Sequence, residues 1–167
     1  MINMAAAVSK EDIKTVRKQL KREPKGLKGI ASRCSFGRPQ VIENEAFIEG
    51  KPFPTLYWLT CPIKVKAVSR LEGMGWSKIF REKLWTKDFS KQFYAAQEDY
   101  RRRRSRAAGN ANHPVFSTGI GGVKELCAVK CLHAHYAHYL ATGSNPVGEM
   151  VDNMLSNIEC RECCDKT

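Results

Sequence analysis

A change in the spacing of apolar residues near Cys61 is the feature that most constrains the fold of this chain. Before Cys61, short apolar runs between residues 30 and 60 are separated by glycines and prolines, which is typical of strands and turns. After it, apolar residues recur every three or four positions, which is typical of amphipathic helices. The sequence therefore predicts an α+β fold, with a small N-terminal antiparallel sheet packed on a mostly helical C-terminal part.

The N-terminal region is predicted to begin with a separate basic element. Ser9 followed by Asp12 indicates the start of a short helix, which Pro24 ends. Of the strands that follow, the stretch from Thr55 to Thr60 is predicted to be the most buried. We expect residues 1–29 to form a basic helix or arm, and residues 30–167 to form a single α+β domain with a cysteine-rich C-terminal tail.

Length and composition exclude several classes of protein. The chain has 167 residues, of which 43% are hydrophobic, so it is predicted to be globular and not disordered. No apolar run approaches the ~20 residues that cross a bilayer, and the first eight residues do not resemble a cleaved signal peptide. We therefore expect a cytoplasmic protein with no membrane segment. In a reducing compartment, seven cysteines favour metal binding, catalysis or buried thiols over disulfides.

A helix predicted from about Val123 to Thr142 carries thiols and imidazoles on one face. At about 100° per residue, that face contains Cys127, Cys131, His135 and His138. Cysteine thiolates and imidazoles are zinc ligands, and residues four positions apart can chelate one ion. The alternative is that the cysteines are buried apolar residues and the histidines are polar surface residues.

One helix face rarely completes a tetrahedral site, so further ligands are expected from elsewhere. The available thiols are Cys61, which ends the predicted strand, and the C-x-x-C pair Cys160 and Cys163. The predicted ligands are Cys61, Cys131, a helix histidine such as His135, and Cys160 or Cys163. Zinc is favoured because histidines are close, whereas a set of four thiolates would suit a 4Fe-4S cluster, and a metal-free protein remains the other alternative.

Glycines and basic residues suggest an anion site. A glycine-rich turn with Gly119, Gly121 and Gly122 is predicted to open the helix that carries Lys130, which would direct backbone N–H groups at a phosphate or carboxylate. Arg33 and Arg38 flank another turn and suit the same ligands. This pattern supports a second hypothesis, an enzyme that acts on a phosphorylated or nucleotide-like substrate. Turn geometry and exposed strand charges are the simpler interpretation. Glu72 and Glu98 are candidate acids or bases, but no catalytic set is identifiable.

The formal net charge of +11 is concentrated in two segments. One lies between Lys10 and Lys28, and the other is the run Arg101, Arg102, Arg103, Arg104 and Arg106. Clustered positive charge suits a phosphate backbone, so a third hypothesis is a metal-free RNA-binding module that contacts nucleic acid through these arginines. A solvated helix face is the alternative interpretation. The sequence does not predict the oligomeric state.

Five strings between about Ser32 and Leu155 resemble the bacterial family named domain of unknown function 501. They are Phe36-Gly-Arg-Pro, Pro52-Phe-Pro-Thr-Leu-Tyr-Trp-Leu-Thr-Cys-Pro62, Ser69-Arg-Leu-Glu72, Val129-Lys-Cys-Leu-His-Ala-His135 and Asn145-Pro-Val-Gly148. The resemblance implies a bacterial cytoplasmic protein but no established activity. It also introduces His133 as an alternative ligand to His135, although the helical projection places His133 toward the core. Both basic segments lie outside these strings.

Overall fold

The structure is a computed structural model and describes residues 7–84, 86–158 and 160. Its described part confirms the predicted α+β class. The strands are β1 Leu27–Arg33, β2 Pro39–Asn44, β3 Phe47–Ile48, β4 Lys51–Pro52 and β5 Tyr57–Leu59. The helices are α1 Lys10–Leu20, α2 Pro62–Gly73, α3 Trp76–Lys83, α4 Lys87–Ala107, α5 Leu132–Thr142 and α6 Pro146–Met154, with a short 3-10 helix at Pro114–Ser117.

The main sheet is antiparallel with the order β1-β2-β5. Ile42 on β2 lies opposite Ile30 on one side and Trp58 on the other. Because β2 is central, it is the most buried strand, and the prediction that Thr55–Thr60 would be most buried was wrong. Strands β3 and β4 form a separate hairpin.

Helix α1 packs on this sheet. Ser9 and Asp12 form the predicted capping box at its start. Val16 is fully buried against Ile30 and Ile42 of the sheet. The helix predicted as an arm therefore contributes to a small apolar cluster, and the domain boundary at residue 29 stays a prediction.

Helices α5 and α6 pack closely in the main core. A side chain at Gly148 of α6 would overlap Tyr139 and the carbonyl of His135, both on α5, so only glycine permits this approach. Leu132 and Tyr136 of α5 are completely buried in the largest apolar cluster. No helix in the described ranges has both the length and the apolar character needed to cross a membrane.

Helix α5 begins later than predicted. It starts at Leu132 and not at Val123, and Cys131 is its N-cap with extended backbone angles of φ −132° and ψ 109°. Residues 123–131 have no helical structure, and the turn before them contains Gly121 and Gly122 with positive φ angles of 76° and 73°. The predicted helical face therefore does not exist, because Cys127 lies in irregular structure.

Candidate metal centre

The structure brings together Glu72, Cys131 and His133. Glu72 is near the end of α2. Cys131 is the residue immediately before α5, and His133 is in the first turn of α5. One ligand atom from each residue lies within 4.8 Å of the other two, and no other group of three such residues is this close in the described part of the chain. All three side chains are partly buried. The fold therefore gathers a carboxylate, a thiol and an imidazole from two helices.

Glu72 links the two helices. Its Oε1 accepts a hydrogen bond of 2.7 Å from the backbone N–H of Leu132. Its Oε2 lies 3.3 Å from Nδ1 of His133. The carboxylate thus satisfies an unpaired N–H at the start of α5 and faces the imidazole at the same time. The Cys131 side chain makes no capping hydrogen bond, and Glu72 supplies the acceptor at the start of α5 instead.

Backbone geometry fixes the orientation of the His133 ring. Its Nε2 lies 3.1 Å from the carbonyl oxygen of Val65. A carbonyl only accepts hydrogen bonds, so Nε2 carries the hydrogen and Nδ1 is directed at Glu72. The Ser69 hydroxyl donates to the same carbonyl at 2.9 Å and lies 3.2 Å from Nε2. Metal-binding histidines are commonly held in this way, with the second ring nitrogen donating to a carbonyl.

Positive charge is favoured between His133 and Glu72. Burial alone lowers the pKa of His133, but the hydrogen bond with Cys131, the charge of Glu72 and the Val65 carbonyl outweigh it and raise the pKa to about 9. An unprotonated Nδ1 and a carboxylate oxygen 3.3 Å apart would repel each other. The space between them therefore favours a proton or a metal ion.

The other predicted thiol ligands lie elsewhere. Cys61 and Cys160 line a different cleft, of about 300 Å³, together with Cys34. Cys61 does not join Cys131 and His133 in a group of three donors. Cys61 is buried immediately before the first turn of α2, whereas Glu72 lies in the last turn, so the length of α2 separates Cys61 from the cluster. Cys163 lies outside the described residues.

His135 and His138 have structural roles in the core. Both are completely buried, and Nδ2 of Asn145 lies 3.2 Å from Nδ1 of each ring. His138 Nε2 also lies 3.2 Å from Asp99. The His135 ring stacks on Phe93 at 5.4 Å, and burial, followed by the neighbouring His138, lowers the pKa of His135 to about 3. His135, a predicted ligand, is thus enclosed by the core and lies outside the cluster.

Three backbone amides of the glycine-rich turn are already engaged within the protein. Gly119 N–H donates to the Val123 carbonyl at 2.7 Å, and Gly122 N–H donates to the Gly119 carbonyl at 3.0 Å. Ile120 N–H donates to Gln97 Oε1 at 2.7 Å. No helix begins at this turn, so Gly119, Gly121 and Gly122 lack the predicted helix N-terminus.

The basic residues predicted to join the glycines are separate from them. Arg33 forms a bidentate contact with Asp12 at 2.6 and 3.0 Å, which together with two bonds from Ser9 holds the pKa of that carboxyl well below its usual range. Arg38 lies 3.3 Å from Glu11. Lys130 is exposed in the segment before α5. The two arginines therefore tie α1 to the sheet.

The arginine run divides between the interior and the surface. Arg104 is 1% exposed and donates to the carbonyls of Pro54, Phe116 and Thr118, so it is not available to nucleic acid. The remaining members are Arg101, paired with Glu98, Arg102 and Arg103, both paired with Asp99, and Arg106, which is exposed.

A family model described as "Protein of unknown function (DUF501)" matches residues 30–153. The chain belongs to this family. The match confirms the resemblance seen in the sequence, and it spans Glu72, Cys131 and His133 while excluding α1. No curated protein and no solved structure gives a significant match to the chain.

Glu72 is the member of the candidate metal centre of this DUF501 protein that the sequence did not predict. Nothing in its spacing pairs it with the cysteines, so the sequence indicates only an isolated acid. One signal was present, since Glu72 ends the string Ser69-Arg-Leu-Glu72 that contributed to the family resemblance. The structure places both Ser69 and Glu72 beside His133.

Proposed function

We propose that this DUF501 protein binds a divalent metal ion through Glu72, Cys131 and His133. The supporting observation is the convergence of three different donor atoms within 4.8 Å of one another. The orientation of His133 adds support, because its Nε2–H is engaged by a backbone carbonyl and Nδ1 is left for the metal.

Zinc is the ion that this donor set suits best. Thiolate, imidazole and carboxylate are all common zinc ligands, and zinc imposes no rigid geometry. A 4Fe-4S cluster is held mainly by cysteine thiolates, and the group contains one thiol among the described residues. We therefore favour zinc over the cluster that the cysteine count alone left open.

Three protein ligands leave one position of a tetrahedral site for water or a substrate. Closed structural zinc sites usually have four protein ligands, whereas catalytic sites usually have three. A metal-bound water at this position would have a lowered pKa and would suit hydrolysis. The proposal also implies a reducing location such as the cytoplasm, because oxidation of Cys131 would remove its thiolate.

Metal analysis of protein purified without added metal tests the proposal. We expect about one zinc ion per wild-type chain, and a loss of most of that zinc in Cys131→Ser. Cys127→Ser is the matched control, since it removes an exposed thiol from the same irregular segment and should keep the zinc. Zinc below about a tenth of an equivalent in wild type, or equal zinc in both variants, would reject the proposal.

A metal-free thiol site is the second candidate, and one contact favours it. A ring nitrogen of His133 lies within 4.8 Å of both the Cys131 sulfur and a Glu72 carboxylate oxygen, and thiol, imidazole and carboxylate are the nucleophile, base and orienting acid of thiol enzymes. In that case chelator-treated protein should react with iodoacetamide faster at Cys131 than at Cys127. His133→Gln should remove the difference, whereas protection of Cys131 by added zinc would favour the metal site.

A further inference from the structure

A second cleft, of about 540 Å³, lies between the connection from α1 to β1, strand β2 and the β3–β4 hairpin. Its walls are mainly apolar and include Leu20, Ile42, Pro52, Phe53 and Trp58. None of the three residues of the candidate metal centre lines it. Clefts of this size accommodate small organic ligands and cofactors.

Aromatic side chains form one wall of the cleft. The rings of Phe53 and Trp58 are 6.3 Å apart between centroids and tilted by 41°. The guanidinium group of Arg22 lies over the Trp58 ring, 4.7 Å from its centroid. Aromatic rings and guanidinium planes are the surfaces on which nucleobases stack.

A buried acceptor in the cleft has an unmet hydrogen-bonding requirement. Asn44 lines the cleft and is only 1% exposed. Its Nδ2 donates to the Thr55 carbonyl at 3.0 Å, which fixes the side-chain orientation. Its Oδ1 is buried without a hydrogen-bond partner in the described structure. A buried acceptor without a partner lowers the stability of the protein, and a ligand N–H group that donates to it would remove this penalty.

The rim of the cleft carries an excess of positive charge. Arg22 and Lys51 line it, and neither forms an ion pair with any described residue. Glu23 also lines the cleft, but its carboxylate is engaged by Arg17 at 2.6 Å. Two unpaired cations at the edge of an apolar cleft favour a ligand with a phosphate group.

From these features we propose that the cleft binds a nucleotide. The base stacks against Trp58 and Phe53, an N–H group of the base donates to Asn44 Oδ1, and the phosphate contacts Arg22 and Lys51. The nucleotide is either a free molecule or one unit of a single-stranded nucleic acid, because both present the same base and phosphate. This site is independent of the proposed metal centre.

Calorimetric titration of the full chain tests the assignment. We expect at least one of AMP, CMP, GMP and UMP to bind, and ribose 5-phosphate, which lacks a base, to bind at least about tenfold more weakly. The double variant Arg22→Ala/Lys51→Ala should weaken nucleotide binding about tenfold or more. Lys66→Ala is the matched control, since it removes an exposed lysine from α2 and should leave the affinity unchanged.

Two further arms identify the source of the nucleotide and the role of the base pocket. Binding of a single-stranded ten-nucleotide RNA but of no mononucleotide, with the same dependence on Arg22 and Lys51, would assign the cleft to a strand. Trp58→Leu and Asn44→Leu should each abolish binding while circular dichroism shows a folded protein. The proposal is overturned if neither a mononucleotide nor the RNA binds, or if the Arg22→Ala/Lys51→Ala variant binds nucleotide as wild type does. It is also overturned if ribose 5-phosphate binds as tightly as the mononucleotides.

Discussion

Two sides of helix α5 carry the same type of residue in opposite chemical states. On one side, half-buried His133 faces Glu72, and its pKa is raised to about 9. On the other side, completely buried His135 and His138 have lowered pKa values because burial dominates there. Only the first environment stabilises a positive charge. His138 also has an acidic neighbour, Asp99 at 3.2 Å, so complete burial, and not the lack of a carboxylate, separates the core histidines from the candidate ligand.

The largest effect on stability should come from removing the hydrogen-bond partner of the buried His135 and His138. Asn145→Ala removes the N-cap bond to Gly148 and leaves Nδ1 of both His135 and His138 without its partner. We expect a loss of about 3 kcal/mol in the free energy of unfolding, from about 1 for the cap and about 1 or more for each buried nitrogen. Urea denaturation measures this loss.

The exposed Asn153 of α6 offers a control for that change. Asn153→Ala should alter the free energy of unfolding by less than about 0.5 kcal/mol. The Asn145→Ala protein, where folded, should still bind one zinc ion, because His135 and His138 lie on the side of α5 that faces away from the metal centre. An equal loss of stability in both variants would contradict the structural role given to His135 and His138.

The next largest effect should be on zinc affinity, which should distinguish His133 from the buried His135. His133→Gln should weaken zinc binding by about 100-fold or more, since even the loss of an outer hydrogen-bond partner of a ligand commonly costs 10–100-fold. His135→Gln should keep wild-type zinc affinity, although it is less stable. Competition with a chromophoric chelator measures both. If His135→Gln lost zinc and His133→Gln kept it, the roles of the two residues would be reversed.

The buried histidines should also make the free energy of unfolding depend on pH with a definite sign. Because folding lowers the pKa of His135 and His138 below the ordinary value of 6.5, the unfolded chain binds more protons as pH falls below that value. Stability is therefore lost toward low pH, by up to about 1.4 kcal/mol per pH unit for each histidine. In urea denaturation between pH 6.5 and 5, His135→Gln should show a shallower slope than wild type. Identical slopes would argue against a buried neutral His135.

The smallest effect is expected beside the His133 ring. Ser69→Ala removes a hydroxyl that lies 3.2 Å from Nε2 but leaves the Val65 carbonyl in place. Zinc affinity should therefore fall by about tenfold at most. Ser156→Ala, at an exposed position after α6, should have no effect in the same chelator assay. A hundredfold loss in Ser69→Ala would mean that Ser69, and not Val65, fixes the ring.

Local patterns were sufficient to predict much of the fold. The α+β class and the helix that starts after Ser9 follow from residues that are neighbours in the sequence. The burial of Arg104 could also be predicted from the sequence, because Arg104 continues the helical spacing of Phe93 and Tyr100 along α4. The positive charge of the arginine run favoured a surface position instead.

The candidate site depended on contacts that a sequence does not display. At the start of α5, the N–H of Leu132 donates to Glu72, which lies sixty positions earlier, and the same carboxylate lies beside His133. Cys131 could be selected from its residue type, but its partner Glu72 could not be inferred from spacing. The same limit explains why Cys61 was grouped with Cys131 although it faces another cleft.

X-ray absorption at the zinc edge tests the central claim most directly, because it identifies the atoms around the ion in the intact protein. The account predicts one sulfur at about 2.3 Å, from Cys131, together with nitrogen and oxygen neighbours at about 2.0–2.1 Å. Cys131→Ser should remove the sulfur signal. Two or more sulfur neighbours, or a zinc spectrum with no sulfur at all, would contradict a site formed by Glu72, Cys131 and His133.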